Sequence, residues 1–372
     1  MSENTIGIIT TPISKSGIIP LSDLITIIHS LSKKIFLITG GEGYDFFKGD
    51  SRITTLGISH NASTFFMQRI FNYLSLQLKI SLYIVKTRKQ IDFYIFFIGS
   101  DVLLLPLLIA HLLRKKVFLL YAGSLVKSSG NDPLVFGLKI LQFFTWTSAD
   151  KIIVYSENII RDDSLERWTG KIVIAHQHFI DFDSFKMKKA YLSRECIVGY
   201  VGRFSEEKGI MHLLHAIPDA VSKKPGIQFL FIGDGPLHPT ISQYIRDNRL
   251  SDTIILHGWV SHEVLPDCFN QMKLLIIPSD TEGLPNVMVE AMACGTPVLA
   301  NPVGAIPDVI IEGKTGFIME NNSPEIIAQN LLRVLNEPDL EKIAENGRGY
   351  IMENFSFEKT FENWNRVFSE IE

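Results

Sequence analysis

The sequence predicts an α/β fold made of two doubly wound, parallel-sheet domains that face one another. Short, continuous apolar runs alternate with helical patterns along the whole chain, which is typical of parallel strands buried on both faces. The chain has 372 residues, more than a single hydrophobic core usually organises. The alternation pauses around residues 182–194, where we place the linker. Ligands of such sheets bind beyond the carboxyl ends of the strands, so we expect the site in the cleft between the domains.

The predicted elements divide into an N-terminal domain, residues 1–188, and a C-terminal domain, residues 189–356. Helical patterns of the first domain lie around 21–32 and 133–148. Its predicted strands are 6–10, 34–39, 93–98, 117–121, 151–156 and 171–176. Those of the second domain are 196–202, 227–233, 254–258, 274–279 and 297–300. Residues 357–372 form an amphipathic helical pattern, which packs either on its own domain or back on the first.

Residues 91–121 are mostly apolar and raise the question of a membrane span. A turn at residues 99–101 and Pro106 interrupt this run, and the basic residues 114–116 end it. No uninterrupted stretch therefore reaches the roughly 20 residues that a spanning helix needs. We expect a buried strand, then a helix, then a second buried strand.

Charge and cysteine content narrow the function classes. The net charge is −4, from 40 acidic and 36 basic residues, so the chain lacks the electrostatic footprint of a nucleic-acid partner. Cys196, Cys268 and Cys294 are scattered without metal-ligand spacing, which fits buried thiols in a reduced compartment. The first residues lack the basic and apolar regions of a cleavable signal. We therefore expect a cytoplasmic protein.

Two glutamates near the C-terminal third, Glu282 and Glu290, are the most informative residues of the chain. On one continuous helix they would lie about 80° apart, which is poor geometry for a paired site. Pro285 between them suits the first turn of a helix, because its missing N–H needs no partner there. Glu282 then faces a helix N-terminus and Glu290 lies on the second turn. Free N–H groups between two carboxylates predict a phosphate cradle beside hydroxyl-binding groups, as in a nucleotide-sugar site.

Three further motifs follow predicted strands of the second domain. Arg203 and Lys208 follow the first strand and can converge on one diphosphate. Taken by themselves, they fit two surface cations in a loop better than a binding site. Gly233 and Gly235 follow the next strand, although a tight turn there demands glycine in any case. Gly258 and Trp259 follow the third. The common position of these motifs at strand ends favours one site.

Together these residues resemble the retaining glycosyltransferases of family 4 (glycosyl transferases group 1), which have the GT-B architecture of two Rossmann-like domains. The resemblance rests on G-R-x4-K-G at 202–209, G-x-G at 233–235, HGWV at 257–260 and E-G-L-P-x4-E at 282–290. It continues through residues 293–318 and is fainter in the first half, at 148–156 and 178–185.

The resemblance implies roles for the motif residues. Arg203 and Lys208 would bind the donor diphosphate, Glu290 the ribose hydroxyls and Glu282 a hydroxyl of the donor sugar. Arg203, Lys208 and Glu282 would thus act in catalysis. The backbone around the helix start would reach the sugar and phosphates, and the third motif would border the base. The remaining donor-binding positions are Gly233, Gly235, Gly258, Trp259, Gly283, Leu284, Asn286, Val287 and Gly17.

Two departures from the family pattern lie in the first domain. The family usually has a glycine pair after the first strand, whereas this chain offers only Gly17. The family often has a histidine after the strand that here ends at Tyr121. Tyr121 or Ser124 replaces that histidine, or the donor sugar loses this contact. The geometry of the acceptor is therefore less defined than that of the donor.

The expected donor is a UDP- or GDP-linked sugar, used as a co-substrate with no further cofactor and no metal. Cationic side chains and a helix N-terminus can stabilise the leaving diphosphate. Asp181-Phe182-Asp183 has the Asp-x-Asp string of metal-dependent sugar transferases, but it lies at the linker, and we assign it no metal. His176 and His178 either line the cleft or have a structural role.

The acceptor is expected to be a glycan or a lipid-linked molecule. Residues 59–89 have a helical pattern in their first part, rich in apolar residues with interspersed basic ones. This segment is either a core-packing helix or a surface helix in peripheral contact with an anionic membrane at the inner face.

Two other function classes remain open at this stage. A nucleotide-sugar epimerase or a phosphorylase shares the fold, although the combined motifs favour sugar transfer. A binding-only relative would explain the missing first-domain histidine and glycine pair, but the intact Arg203, Lys208, Glu282 and Glu290 argue against it. The sequence therefore predicts a hexosyltransferase of cell-surface polysaccharide or glycoconjugate synthesis.

Overall fold

The chain forms two compact units in a computed structural model that describes residues 4–59, 65–123 and 133–369. The first unit comprises residues up to Tyr155, then Asp163–His178, then the end of the chain from Thr360. The second comprises Ser156–Asp162 and Phe179–Lys359. The chain therefore changes unit near residue 178, and the predicted boundary between residues 188 and 189 lies inside the second unit.

The first unit contains a seven-stranded parallel sheet in the order β3-β2-β1-β4-β5-β6-β7. Its strands are β1 (Thr5–Ile13), β2 (Lys34–Gly41), β3 (Ile53–Ile58), β4 (Phe93–Phe96), β5 (Lys116–Tyr121), β6 (Lys151–Val154) and β7 (Ile172–Ile174). Its helices are α1 (Ile18–Leu31), α2 (Glu42–Phe47), α3 (Phe66–Thr87), α4 (Leu104–Leu112) and α5 (Pro133–Ser148). The central strands are apolar on both faces because helices cover both sides.

The second unit contains a six-stranded parallel sheet in the order β10-β9-β8-β11-β12-β13. Its strands are β8 (Ile197–Val201), β9 (Gln228–Ile232), β10 (Ile254–Gly258), β11 (Leu274–Ile277), β12 (Val298–Ala300) and β13 (Phe317–Ile318). Its helices are α6 (Glu157–Asp162), α7 (Ile210–Lys223), α8 (His238–Asp247), α9 (Leu265–Phe269), α10 (Asn286–Ala293), α11 (Ile306–Val309), α12 (Pro324–Leu335) and α13 (Leu340–Asn354). The last helix of the chain is α14 (Phe357–Ser369).

The predicted fold class is confirmed, with two doubly wound parallel sheets, and two edge strands were missed. Strand β3 reads ITTLGI and is only partly buried, because an edge strand packs fewer neighbours and tolerates Thr and Gly. Strand β13 has two residues, too few to form a pattern. Helix α3 also extends further than predicted, since its apolar second half remains helical to Thr87.

The predicted strand, helix and strand within residues 91–121 are confirmed as β4, α4 and β5. Within residues 4–59, 65–123 and 133–369, no helix combines the length and the apolar character needed to cross a membrane.

Helix α14 returns the chain to the first unit from Thr360 onward. The Oγ1 of Thr360 donates to the carbonyl of His178 at 3.0 Å, and the indole N–H of Trp364 donates to the carbonyl of His176 at 2.9 Å. The Phe368 ring packs edge-on against Phe93 of β4 at 5.5 Å. These contacts join the last helix to the first sheet and its following loop.

His178 should make the stability of the first unit dependent on pH. Burial, together with the neighbouring His176, holds the pKa of His178 well below its ordinary value, and burial lowers the pKa of His176 to about 4. Such histidines bind protons more readily in the unfolded chain, so stability is full above about pH 6.5 and falls as the pH drops toward the folded pKa. We expect the free energy of unfolding, measured in urea, to decrease between pH 7 and pH 5, by at most ~1.4 kcal/mol per pH unit for each histidine.

The variant His178→Gln tests this effect. It should reduce the slope of the free energy of unfolding against pH, whatever its effect on stability at pH 8. An unchanged slope would mean that other groups set the acid sensitivity.

Candidate functional site

All of the predicted site residues except Gly17 lie in the second unit, at the end of a parallel strand, in the loop that follows it or in the next helix. Loops after β8, β9, β10 and β11 carry the motifs. Because parallel strands end at the same edge of a sheet, these loops meet there. The structure thus brings together residues that are separated by up to 87 positions in sequence, from Arg203 to Glu290.

The loop after β8 lies directly against the glycine-containing loop after β9. The N–H of Phe204 donates to the carbonyl of Asp234 at 2.9 Å, and the N–H of Gly233 donates to the carbonyl of Gly258 at 2.8 Å. Gly233 has φ of 145°, and a Cβ there would lie 1.9 Å from the carbonyl oxygen of Gly202. Glycine is therefore required for close packing of these loops.

Arg203 is exposed at the point where these loops meet. Its carbonyl accepts from the hydroxyl of Tyr200 at 2.8 Å, which fixes the backbone. Among the described residues, its guanidinium donates no hydrogen bond and forms no ion pair. A fixed backbone with five unused N–H donors suits this side chain to an anionic ligand.

Lys208 is held beside the loop after β11. Gly209, with φ of 65°, allows the chain to pass so close to Pro278 that a Cβ would lie 2.0 Å from its carbonyl oxygen. The N–H of Asp280 also donates to the carbonyl of Glu207 at 3.0 Å. These contacts join the loop that carries Lys208 to the loop that carries Glu282.

Lys208 and Glu282 form an ion pair with 2.7 Å between Nζ and Oε1. The same carboxylate oxygen accepts from the Oγ of Ser279 at 2.7 Å. The Glu282 side chain is 11% exposed and that of Lys208 is 28% exposed, so both side chains retain some contact with solvent. The pair places a cation and a hydrogen-bond acceptor side by side.

The loop after β12 holds the backbone on both sides of Glu282 by hydrogen bonds. The amide of Asn301 donates to the carbonyl of Ser279 at 2.9 Å, and the N–H of Ala305 donates to the carbonyl of Gly283 at 2.7 Å. These bonds hold the Glu-Gly-Leu-Pro turn in place immediately before α10.

Helix α10 begins at Asn286, so Pro285 precedes the helix and does not occupy its first turn as predicted. Pro285 is extended, with ψ of 118°, and supplies no side-chain cap. The first N–H groups of a helix have no partners within it and carry the positive end of the dipole. With no side chain to cap them, the N–H groups around Asn286 and Val287 are suited to bind a phosphate.

Glu290 lies on the second turn of α10, as predicted, and is only 4% exposed. Its Oε1 lies 2.9 Å from the Nε2 of His262. Its Oε2 is buried and has no hydrogen-bond partner among the described residues. A buried carboxylate oxygen without a partner is costly, so this atom calls for a donor such as a ligand hydroxyl.

Comparison with known proteins identifies the family of the domain that contains this sheet and its loops. Residues 181–350 match the family described as Glycosyl transferases group 1. This part of the chain is a group 1 glycosyl transferase domain. The predicted resemblance to glycosyl transferases group 1 is thereby confirmed, and all of the second-unit motifs described above fall within the matched residues.

Two relatives named as glycosyltransferases agree with this family. The chain is 30% identical over 225 residues to a protein named as an uncharacterized glycosyltransferase of Methanocaldococcus jannaschii, covering 59% of this chain and 60% of that protein. It is 31% identical over 172 residues to the capsular polysaccharide biosynthesis glycosyltransferase CapM of Staphylococcus aureus, covering 45% of this chain and 44% of that protein. The chain thus spans 44–60% of the length of these relatives.

The fold is that of the GT-B glycosyltransferases. The structure of Anabaena HepE in complex with UDP and glucose superimposes with a TM-score of 0.76, covering 98% of this chain and 99% of that one. Because the two sequences are 16% identical, this likeness establishes the architecture and not the ligand of the present chain.

The remaining predicted residues of the group 1 domain differ in their surroundings. Gly258, with φ of 78°, ends β10, and Trp259 after it is 66% exposed. Leu284 is buried beneath the turn that carries Gly283. Asp181 uses its carboxylate within a local turn, accepting from the N–H of Asp183 and the Oγ of Ser184. This contact accounts for Asp181 structurally.

First-unit positions that the sequence singled out lie outside the group 1 domain. Gly17 ends a short turn before α1, and its N–H donates to the carbonyl of Ser14 at 3.0 Å. Tyr121 ends β5 with its hydroxyl donating to Asp163 at 2.8 Å. Ser124 lies outside the described residues. His178 is buried and bonded through its carbonyl to α14, which fits the structural alternative.

Sequence reasoning missed His262 and Ser279, which contact the two glutamates of the group 1 domain. His262 follows Trp259 closely in the loop after β10, and the Phe185 ring lies 5.0 Å from its imidazole. A polar residue in a loop at the shared strand edge was the available signal, but no spacing rule links His262 to Glu290.

His262→Ala should weaken donor binding by removing the group that orients Glu290. The loss of one hydrogen bond to a charged acceptor predicts an affinity about 5- to 20-fold lower for a nucleoside diphosphate. Titration calorimetry with UDP and GDP would measure it. His262→Gln, which keeps an N–H donor, should restore part of the affinity, whereas equal loss in both variants would point to a different role for the ring.

Proposed function

We propose that this protein transfers a hexose from a UDP- or GDP-linked donor to a glycan or lipid-linked acceptor, with retention of the anomeric configuration. One observation carries the proposal. Within a group 1 glycosyl transferase domain, the Lys208–Glu282 pair and the half-paired Glu290 lie on either side of an uncapped helix N-terminus. The domain thus offers Glu282 for the transferred sugar, Lys208 and the helix N-terminus for the diphosphate, and Glu290 for the ribose.

The donor would be bound by charge at its diphosphate and by carboxylates at its two sugars. Arg203 and Lys208 supply positive charge, which is the contribution that a divalent metal makes in other sugar transferases, so we expect donor binding without a metal. Glu290 would accept from a ribose hydroxyl through its unpaired Oε2. Glu282 would accept from a hydroxyl of the transferred sugar while it remains beside Lys208.

The chemical step breaks the bond between the anomeric carbon and the diphosphate oxygen as positive charge develops on the sugar ring. Arg203, Lys208 and the N-terminus of α10 stabilise the negative charge on the departing diphosphate. In a retaining reaction the acceptor hydroxyl forms the new bond from the same face that the diphosphate leaves. The departing phosphate oxygen then accepts the hydroxyl proton, so no protein side chain has to act as the base.

The biological setting follows from the relatives. CapM is named for capsular polysaccharide biosynthesis, and HepE binds UDP and glucose in its structure. We therefore propose a role in cell-surface polysaccharide or glycoconjugate synthesis, with a UDP- or GDP-linked donor. The free thiols of Cys196, Cys268 and Cys294 suit a reduced, cytoplasmic compartment.

A thermal-shift screen across UDP, GDP, ADP and their sugars tests the donor. A tightly bound nucleotide raises the melting temperature by mass action, and we expect UDP or GDP compounds to do so in the presence of a chelator. Anion-exchange chromatography should then detect the free diphosphate when donor and a glycan acceptor are mixed, with the product anomer read by NMR.

The other outcomes are equally informative. Conversion of the donor to an epimer without an acceptor would indicate an epimerase, and nucleotide binding without turnover would indicate a binding-only relative. An inverted anomer would refute retention.

A further inference from the structure

Three helices of the first unit expose large apolar side chains where a solvent-facing helix ordinarily carries polar ones. They are α3, α4 and α5, and α4 packs against both of the others. We call their exposed side chains the three-helix surface. It is independent of the donor site, since it belongs to the other unit and shares no residue with it.

Helix α3 has two apolar faces instead of one. Its inner face is buried and includes Leu76, Ile80 and Ile84. At about 100° per residue, a second stripe spanning roughly 80° lies on a different side of the helix. The stripe is exposed, and its members are Met67, Phe71, Leu74, Leu78, Leu82 and Val85, which are 37–72% exposed. Core packing therefore accounts for the inner face and leaves the stripe unexplained.

The neighbouring helices extend the stripe. On α4, Leu108 and Leu112 are separated by one turn and are 47% and 79% exposed. The exposed apolar residues of α5 are Phe136, Ile140, Phe143 and Phe144. Scattered exposed apolar residues are normal, but a contiguous group of this size on adjacent helices marks an interaction surface.

The helices that form the three-helix surface carry basic and no acidic side chains, while Asp150 pairs with His111 of α4 and Asp101 accepts from Gln142 of α5. The segments 66–87, 104–112 and 133–148 contain no Asp or Glu. Lys79 and Lys86 lie beside the stripe of α3, roughly 80–100° from its centre, and Lys139 lies in the same way beside the exposed face of α5. Further basic residues follow the helices, namely Arg88, Lys89, Arg114 and Lys115.

We propose that the three-helix surface docks on an anionic lipid bilayer, with the helices lying in the plane of the interface. Apolar side chains enter the boundary between headgroups and acyl chains while flanking lysines contact anionic headgroups. A second copy of this chain fits less well, because self-association would bring like charges together. Docking by this surface would place the enzyme beside a lipid-linked acceptor without a spanning helix.

Vesicle co-sedimentation of the full chain tests the proposal. We expect the protein to pellet with vesicles of phosphatidylcholine and phosphatidylglycerol, to bind phosphatidylcholine alone more weakly, and to be released partly by salt. Recovery in the supernatant that is equal with and without phosphatidylglycerol would overturn it.

Two double variants separate the apolar and electrostatic contributions. Leu78→Gln with Leu112→Gln should weaken partitioning about tenfold or more. Lys86→Glu with Lys139→Glu should weaken it at least about fivefold for each lysine on anionic vesicles, with little effect on neutral ones. Met352→Gln is the matched control, because Met352 is a 43% exposed apolar residue on α13 of the second unit.

Two further measurements distinguish a failure of the lipid proposal from a failure of the donor-site assignment. UDP binding should be the same in all of these variants, whether or not the assigned sugar transfer is correct. Light scattering should report a monomer. A dimer that the Leu78→Gln and Leu112→Gln changes dissociate, without any vesicle binding, would assign the surface to a second copy and refute the lipid proposal.

Discussion

Lys208→Ala is expected to lower the affinity for nucleoside diphosphates about 10- to 100-fold, the effect of losing one hydrogen bond between charged groups. We expect a further loss in kcat, because in the proposed reaction the ammonium also stabilises the charge on the departing diphosphate, a contribution that reaches ~3–4 kcal/mol for comparable donors in other enzymes. Calorimetric titration with UDP, GDP and inorganic pyrophosphate measures the first effect, and steady-state kinetics measures the second.

Pyrophosphate makes the Lys208 prediction specific. Because Lys208 is assigned to the diphosphate, its removal should weaken binding of pyrophosphate and of the nucleotides alike. Removal of the lysine also leaves Glu282 with Ser279 as its hydrogen-bond partner, so we expect a loss of about 1 kcal/mol in the free energy of unfolding. Lys223→Ala is the matched control, since Lys223 pairs with Asp219 on α7 in the same domain. Equal nucleotide affinity in the two variants would refute the assignment of Lys208.

Glu290→Ala should lower nucleotide affinity by a similar factor, about 10- to 100-fold, because the buried carboxylate would otherwise accept from a ribose hydroxyl. Pyrophosphate has no ribose, so its affinity should not change. Pyrophosphate binding should therefore weaken in the Lys208→Ala variant and stay unchanged in the Glu290→Ala variant. This difference separates the diphosphate contact from the ribose contact. Titration calorimetry with UDP and pyrophosphate measures both.

The stability of the Glu290→Ala variant carries independent information. Glu290 is buried with one oxygen unpaired, so the free chain bears a desolvation cost that the alanine variant avoids. We expect its melting temperature in the absence of nucleotide to be equal to or above that of the parent. Glu312→Ala, which removes an exposed partner of Arg333, serves as the remote control. A large loss of stability with unchanged UDP affinity would make Glu290 a structural residue.

Much of the fold could be predicted from the sequence because both sheets are parallel and buried. Continuous apolar strands such as β8 and β9 stand out from the helices between them, and the helical pattern of α5 was predicted at residues 133–148. Strand β3 could not be recognised, because its pairing with β2 at the sheet edge leaves Thr and Gly in a partly buried position. Whether an edge segment forms a strand depends more on its pairing with the neighbouring strand than on its own hydrophobic pattern.

The amino-acid sequence was sufficient to predict the group 1 family, the order of the motifs along the strand ends and the separation of Glu282 from Glu290 by a helix start. These features are local, since turn chemistry, strand periodicity and spacing act over a few residues. Which side chains contact one another could be read only from the folded chain. Lys208 contacts Glu282 across 74 positions, and His262 contacts Glu290 across 28. Such contacts depend on how loops from different strands pack.

The outer face of α3 is a second example of a feature that the sequence predicts only in part. The sequence determined an apolar helix with flanking basic residues, and it left open whether those apolar residues lie inside or outside. The structure buries Ile80 and exposes Leu78 and Leu82, because one side of a helix can pack on a sheet while the other has only solvent, or a further surface, to contact. Which face is covered is a property of the assembled sheet and its neighbouring helices, and no periodicity within a single helix contains it.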